Sequence, residues 1–553
     1  MPRSCARILH YRIVRFARLL ARRRVSCPLL GLGILLALAP QGTARADQRE
    51  HLVLLVNSAV PESVALAKRY CELRGISEAQ ICSLALPVGE SLSRREYEEQ
   101  LRDPLLAWLR DNGWTEQVKR NPRQVAAHES EWTTVKSNVR MICSFYGVPL
   151  RIEDSKLWVA QKIQNWIDHA PQRDEAAVDS ELVMLLQGAY DIRGRVPNPF
   201  LGQLRWGVTG EQGLFFVMAA RLDGPDPDRV LRMMQGAWDA EQYGLHGRAY
   251  FDVRAPHDDD YLIGDFWLGE AAARLSREGF ECIVERTDQL FGLDFPMDSA
   301  AVYFGWYTDK VTGPFQREEF AFQPGALAYH NHSGNAKTLR ATTNGWAATL
   351  LARGAAATWG SVSEPFLSTT PQLHILMDRL CRGETLAEST YLALSSFSWQ
   401  NTVIGDPLYR PFALSLDQQI ENLEAANRPE VEWAWVRKVN MLVQEGRLNL
   451  ALAYARDRLR VRDSYLLRER MADLYSINGL PSEAVIHYEK ALALVDRADT
   501  GLRIAVNYLN ALRAVGQGDR AQTVEAELRE RWAGSPYLKV LEYAHTPPKS
   551  AAP

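Results

Sequence analysis

Short runs of uninterrupted apolar side chains recur along this chain, with helical stretches between them. Leu52-Val53-Leu54-Leu55-Val56 is one such run and Phe215-Phe216-Val217-Met218-Ala219-Ala220 another. Ala301-Val302-Tyr303-Phe304 and Ala326-Leu327-Ala328-Tyr329 follow the same rule. A strand with one wet face alternates apolar with polar residues; a run without alternation marks a strand covered on both faces. Covered strands separated by helices predict an α/β fold with parallel or mostly parallel strands.

The first half is expected to place strands at Leu52–Val56, Ile81–Leu86 and Val139–Phe145, with helices at Val64–Leu73 and Arg94–Leu109. The pattern then restarts. Strands are expected at Phe215–Ala220, Arg248–Val253, Glu281–Arg286, Ala301–Phe304, Ala326–Tyr329 and Ala355–Trp359, with helices at Asp228–Gln242 and Gly264–Glu278. The restart fits a second sheet or an extension of the first. A core of roughly 370 residues suits two α/β layers better than one, so layers at 47–212 and 213–415 are expected.

The ends differ from this middle. Residues 1–46 carry nine arginines and no acid, then the apolar run Pro28 to Ala39 and the A-x-A triplet Ala44-Arg45-Ala46. A basic start, a short apolar run and small residues around a cleavage point read as a secretory signal. The run is shorter than the roughly 20 apolar residues of a membrane span. Cleavage would take the formal net charge from −3 to −12. Such an acidic chain is a poor nucleic-acid binder, because phosphate contact needs a basic face. The expected location is the periplasm or the exterior, with no stable membrane span after cleavage.

Five cysteines remain beyond residue 46, namely Cys71, Cys82, Cys143, Cys282 and Cys381, with no C-x-x-C pair. That spacing removes a zinc ribbon and a thioredoxin motif. A Cys71–Cys82 disulfide and two buried free thiols both remain open in an oxidising compartment.

From about Glu430 strand patterns stop. Ala472, Tyr475, Gly479, Ala484, Tyr488 and Ala491 fall at the spacing of a tetratricopeptide repeat. A Gly-then-Ala step repeats at Gly446 with Ala451 and at Gly516 with Ala521. Repeat arrays bind proteins and peptides, and each unit leans mainly on its neighbours. The helical segment 430–545 is therefore expected to carry the partner site, and a bulky residue at Ala484 to damage the tail alone.

Sites in open α/β sheets form at the carboxyl ends of strands. Here two strands run into Gly305-Trp306-Tyr307-Thr308-Asp309 and His330-Asn331-His332-Ser333-Gly334. Catalytic candidates are His330, His332 and Ser333. A serine nucleophile needs a base at its hydroxyl and an oxyanion hole, yet adjacent residues of one strand point to opposite faces. His330 and His332 with Asp309, Glu364 or Asp406 would make a mixed metal set. No third ligand is fixed by spacing, so no metal site is assigned. His257-Asp258-Asp259-Asp260 reads as a polar loop. Trp306, Tyr307, Asp309, Glu364, Trp399, Asp406, Arg151, Asp179 and Asp223 are candidate ligand-binding residues in the same crevice. The absence of G-x-G-x-x-G after a strand, Walker A and G-x-S-x-G elements leaves no cofactor expected.

The segment Trp346 to Gly360 and the closing Gly405-Asp406-Pro407 resemble the late helix and strand of gingipain-like, caspase-fold cysteine peptidases. That resemblance implies a caspase-like sheet with flanking helices. It also implies a histidine where this chain has Trp306 and a cysteine at or near Asn331, so the thiol mechanism is not expected. Tyr146-Gly147-Val148-Pro149-Leu150, Val178-Asp179-Ser180-Glu181, Arg221-Leu222-Asp223-Gly224-Pro225, Tyr303 to Tyr307, Glu364-Pro365 and Ser398-Trp399-Gln400 more closely resemble an uncharacterised family of exported bacterial proteins. That family occurs beside exosortase-type sorting systems. The resemblance implies envelope protein sorting or exopolysaccharide-associated export. Two functions stay open: a non-catalytic binding or scaffold protein, and a peptide or ester hydrolase with a rearranged site at His330, His332 and Ser333, with or without metal assistance.

Overall fold

The computed structural model describes residues 47–126, 128–156, 173–206, 215–254, 261–287, 289–343 and 345–545. The expected signal segment and the loop His257 to Asp260 lie outside the described residues.

Ten strands form one sheet. They are β1 (Leu52–Asn57), β2 (Ile81–Leu84), β3 (Met141–Phe145), β4 (Met218–Leu222), β5 (Arg248–Asp252), β6 (Cys282–Glu285), β7 (Ala300–Gly305), β8 (Leu327–His330), β9 (Ala357–Ser361) and β10 (Asn401–Gly405). Their order across the sheet is β6-β5-β7-β8-β9-β10-β4-β3-β1-β2. The ladders on either side of β1, and those joining β5 to β6, β5 to β7, β7 to β8, β8 to β9 and β3 to β4, are parallel. β9 and β10 pair antiparallel. The restart near residue 213 is thus an extension: strands from both halves lie in one sheet, and the division at 212 does not separate two layers. β3 and β4 pair along five residues, Met218 to Leu222 against Met141 to Phe145, and that ladder joins the halves.

Every side chain of β1 is fully buried, as its unbroken apolar run requires. Two segments depart from the sequence pattern. The helix read over Arg94–Leu109 has a π segment at Tyr97–Arg102 before its last part, Asp103–Asp111. Pro104 lacks a donor and its ring crowds the preceding turn, which breaks the α register there. The strand read over Phe215–Ala220 begins later, at Met218, and runs through Arg221.

The helices that matter for the site are α1 (Pro61–Arg74), α2 (Pro227–Tyr243), α3 (Leu262–Arg277), α4 (Trp346–Ala352) and α5 (Leu373–Cys381). The tail follows as α6 (Leu416–Ala425), α7 (Val431–Gln444), α8 (Leu448–Val461), α9 (Tyr465–Ile477), α10 (Pro481–Ala493), α11 (Ala498–Ala514) and α12 (Gly518–Arg531). Among the described residues no helix is long and apolar enough to cross a membrane.

The Gly-then-Ala steps map onto three helical hairpins. Gly446, Gly479 and Gly516 sit at the turns with φ of 76°, 75° and 77°. That left-handed conformation is strained for other L residues. Ala451, Ala484 and Ala521, on the second helix of each hairpin, have no exposed surface. A side chain no larger than a methyl group lets the paired helices close on each other.

The first helix of each hairpin is the more buried of the two. Twelve of the 17 residues of α11 are buried, against three of the 14 of α12. The missing face of α7, α9 and α11 is covered by the α/β core. Arg437 Nε and Asn440 Nδ2 donate to the carbonyls of Glu278 and Gly279. Arg428 pairs with Asp239 at 2.6 Å. At the centre, Arg248 and Asp298 of the core meet Glu469 and Arg503 of the tail. Arg248 lies 2.8 Å from Asp298 and 3.1 Å from Glu469, and Arg503 lies 2.7 Å from Asp298. Burial alone would raise the Asp298 carboxyl; Arg248 and Arg503 outweigh it and hold its pKa below the ordinary value. Arg248 opens β5 and Asp298 precedes β7, so the tail sits against the ends where these strands begin.

Candidate functional site

The loops that leave the strands gather on the opposite side. Arg340, in the loop after β8, reaches Asp223, which follows β4, at 2.7 Å. Arg151, beyond β3, donates to the Lys337 carbonyl, and Glu90 accepts from Thr338 Oγ1 and the Leu339 amide. The described contacts of the tail with the core lie at the other edge. This free side is where sequence reasoning placed a crevice.

His330 closes β8 and is fully buried. Its ring stacks on Trp346 at 3.7 Å and 13°. The Thr308 amide donates to Nε2 at 3.2 Å. The ring proton therefore sits on Nδ1, 2.9 Å from the Tyr303 hydroxyl. Burial holds the imidazole neutral, its pKa well below the usual histidine value. Both nitrogens are engaged, so His330 pins the loop after β7 and has no lone pair for a metal or a substrate proton. This corrects its reading as a catalytic or metal-binding candidate.

His332 is different. It lies beyond the strand, half-buried, with its ring 4.8 Å from that of Tyr307. Its Nδ1 is 4.0 Å from Asp309 Oδ1, outside hydrogen-bond range. Desolvation lowers its pKa and the charge of Asp309 only partly offsets this. Ser333, the next residue, donates its hydroxyl to Glu364. The turn after β8 sends the two neighbours to different carboxylates, so the expected difficulty for a Ser333–His332 pair is met here in another form. Among the described residues no three His, Cys, Asp or Glu side chains are grouped closely enough to hold a metal ion.

The remaining candidates divide. Trp306, at the position matched to a catalytic histidine, is 2% exposed. Its indole N–H donates to Asp265 at 2.8 Å, and its ring lies where a Cβ on Gly264 would stand 2.3 Å away. Trp399 is buried, donates to the Pro365 carbonyl and stacks on Phe366. Neither lines an open crevice, because each spends its ring on core packing and its N–H on a protein acceptor. Asp406 lies away from the crevice, where it accepts from the Tyr70 hydroxyl at 2.6 Å and from Arg74. It anchors the end of α1. Asp179 and Asp223 are buried on either side of Arg221, at 2.7 and 2.9 Å. They neutralise a guanidinium inside the sheet and are not free to hold a ligand. Arg151, Tyr307, Asp309 and Glu364 stay at the surface of the free side.

Sequence reasoning passed over Arg254, Tyr261 and Asp265. Arg254 follows β5, with its guanidinium 4.6 Å above the Tyr261 ring and 5.7 Å from the Tyr307 ring. Nothing in the local pattern marks it; its role comes from the fold placing the loops after β5 and β7 side by side. Asp252 ends β5 with one buried carboxylate oxygen accepting from the Phe291 amide and the other unpartnered. Burial pushes its pKa well above the ordinary carboxylate value.

The five cysteines beyond residue 46 are free thiols. Burial raises the Cys71 thiol to about 11 and the Cys82 and Cys381 thiols to about 12. Cys143 and Cys282 are raised as well, by the same cause. The thiolate is the nucleophile. Native protein at pH 7 is therefore expected to resist iodoacetamide and thiol-peptidase probes. Intact-mass spectrometry should show no adduct until denaturant is added; fast stoichiometric labelling of one cysteine would contradict this.

No family model and no curated protein matches the chain. A solved structure titled "Structure of Protease" is similar over 66% of this chain and 79% of its own, at 9% identity and a TM-score of 0.35. A score that low carries no argument about fold or chemistry.

Proposed function

We propose that this chain is an exported, non-catalytic binding protein with a caspase-like α/β core and a tetratricopeptide-like tail. Its place is envelope protein sorting or exopolysaccharide-associated export, and its partner is an envelope protein or peptide. One observation carries the non-catalytic part: Ser333 gives its hydroxyl to Glu364 while His330, the deeper imidazole, is spent on Tyr303 and Thr308. The expected serine mechanism needs an imidazole at the nucleophile's hydroxyl, and among the described hydrogen bonds Ser333 meets no histidine. The hydrolase reading retains the half-buried His332 between Asp309 and Glu364, with Ser333 beside it.

In this reading the partner surface is not the inner face of the tail. Helical arrays take partners on an inner face, and here the inner helices α7, α9 and α11 are packed on the core. The outer helices and the free side of the sheet remain.

Two experiments test the proposal. N-terminal sequencing of protein recovered from the periplasm or medium should begin at Asp47; full-length chain retained inside the cell would contradict export. Mature protein immobilised on beads should retain envelope proteins at full length. Clients released with one defined bond cut would favour the hydrolase.

A further inference from the structure

The loop after β7 lies on the first turn of α3, held by the Trp306–Asp265 hydrogen bond and by the Tyr261 and Tyr307 rings, 6.1 Å apart. Around this junction the protein leaves large apolar groups in water. Leu262 is 48% exposed, Ile263 48%, Phe266 53% and Tyr307 39%. A group of such residues on two adjoining segments is the kind of surface that marks an interaction site. Arg254 stands at its edge. Among the described residues no carboxylate pairs with it, and its buried Nη1 donor has no hydrogen-bond partner. Its positive charge is held over two aromatic rings, a contact that engages the face of the guanidinium and not its in-plane donors.

We propose that this surface docks an extended peptide that carries one carboxylate among bulky apolar side chains. The carboxylate meets Arg254 in a charge-assisted pair, and the apolar side chains cover Leu262, Ile263, Phe266 and Tyr307. Charge complementarity selects this occupant. A guanidinium that meets no acid among the described residues calls for one, and Arg with aromatic anchors is the composition of interface hot spots. A membrane surface fits poorly. Anionic headgroups are drawn by clusters of basic residues, whereas Asp309 and Glu364 stand exposed on this side and the chain beyond residue 46 has a formal charge of −12. This inference rests on the binding reading above and gives it a site and a partner chemistry.

The test is selection of a random 12-residue displayed peptide library on the mature chain, followed by anisotropy titration of the labelled synthetic consensus. The expected consensus holds Leu, Ile or Phe with one Asp or Glu. Its affinity should fall at least tenfold with Arg254→Glu and with Phe266→Ser, two partly exposed positions, in variants whose circular dichroism and Tm match wild type. Arg254→Glu should in turn gain affinity for the peptide with its acid changed to lysine. A consensus that binds both variants as tightly as wild type would overturn this site and leave the binding reading standing. No enrichment of any peptide would overturn both. A lysine-bearing consensus, or equal binding to anionic lipid vesicles that competes with the peptide, would overturn the stated chemistry.

Discussion

Arg503→Ala is expected to lower stability by about 3–5 kcal/mol, the usual cost of leaving a buried partner charge uncompensated. Arg503 is buried and contacts both Asp298 and Glu469, so its loss leaves Arg248 alone to balance two buried acids. The damage should not stay in the tail. Asp298 belongs to the core and Glu469 to the tail, so one substitution unbalances both sides of their interface. Urea unfolding read by circular dichroism should show a single transition at lower midpoint, and hydrogen exchange should speed up in β5 and β7 as well as in α9 and α11. The same coupling revises the expectation for Ala484. A bulky residue there still overfills the α9–α10 contact, at about 1–3 kcal/mol, but α9 carries Glu469, so the core is expected to feel it. Loss of protection confined to residues beyond Glu430 in Arg503→Ala would show that the tail is a separable array.

Asp473→Asn is expected to stabilise the protein at pH 8 and to do nothing at pH 4. Asp473 lies between α9 and α10, where it accepts from the Tyr488 hydroxyl at 2.5 Å. Burial pushes its pKa up to about 7; Glu469 and Glu281 add to the rise, while Arg470, 4.0 Å away, and the Tyr488 hydrogen bond oppose it. An unfolded aspartate titrates near 3.9. Below pH 4 the group is protonated folded and unfolded, and it costs nothing. Between pH 4 and 7 the unfolded chain releases the proton and the folded one keeps it, so stability falls as pH rises. Above pH 7 the loss levels off, at roughly 2–4 kcal/mol. Asparagine keeps an oxygen for Tyr488 and removes the titration. Thermal melts of wild type and Asp473→Asn should coincide at pH 4 and separate progressively up to pH 7. Parallel curves across that range would show that Asp473 ionises normally.

The fold was largely legible and the site was not. The unbroken run Leu52 to Val56 announces a strand covered on both faces, and the spacing of Gly446, Gly479 and Gly516 announces three turns, because both patterns follow from local geometry. Joining the halves into one sheet depends on the β3–β4 ladder, a long-range pairing that no periodicity records. The fate of single polar residues is harder still. His330 and His332 look equivalent in sequence, yet the end of β8 falls between them, leaving one under Trp346 and the other at the rim. Asp179 and Asp223 read as ligand-binding acids because their counter-charge, Arg221, lay just beyond the expected strand. Arg254 was overlooked for a related reason: an arginine after a strand is ordinary until the tertiary structure sets it over the Tyr261 and Tyr307 rings.

The proposal at the centre is that the free side of the sheet binds and does not hydrolyse. It is tested most directly by incubating the mature chain, Ser333→Ala and His332→Ala with a proteome-derived peptide mixture and an ester substrate at pH 5 and pH 8, with products read by mass spectrometry. The account predicts that all three proteins leave the peptides and the ester intact over the background rate. New termini or released acid in the wild-type sample, abolished by Ser333→Ala, would contradict it.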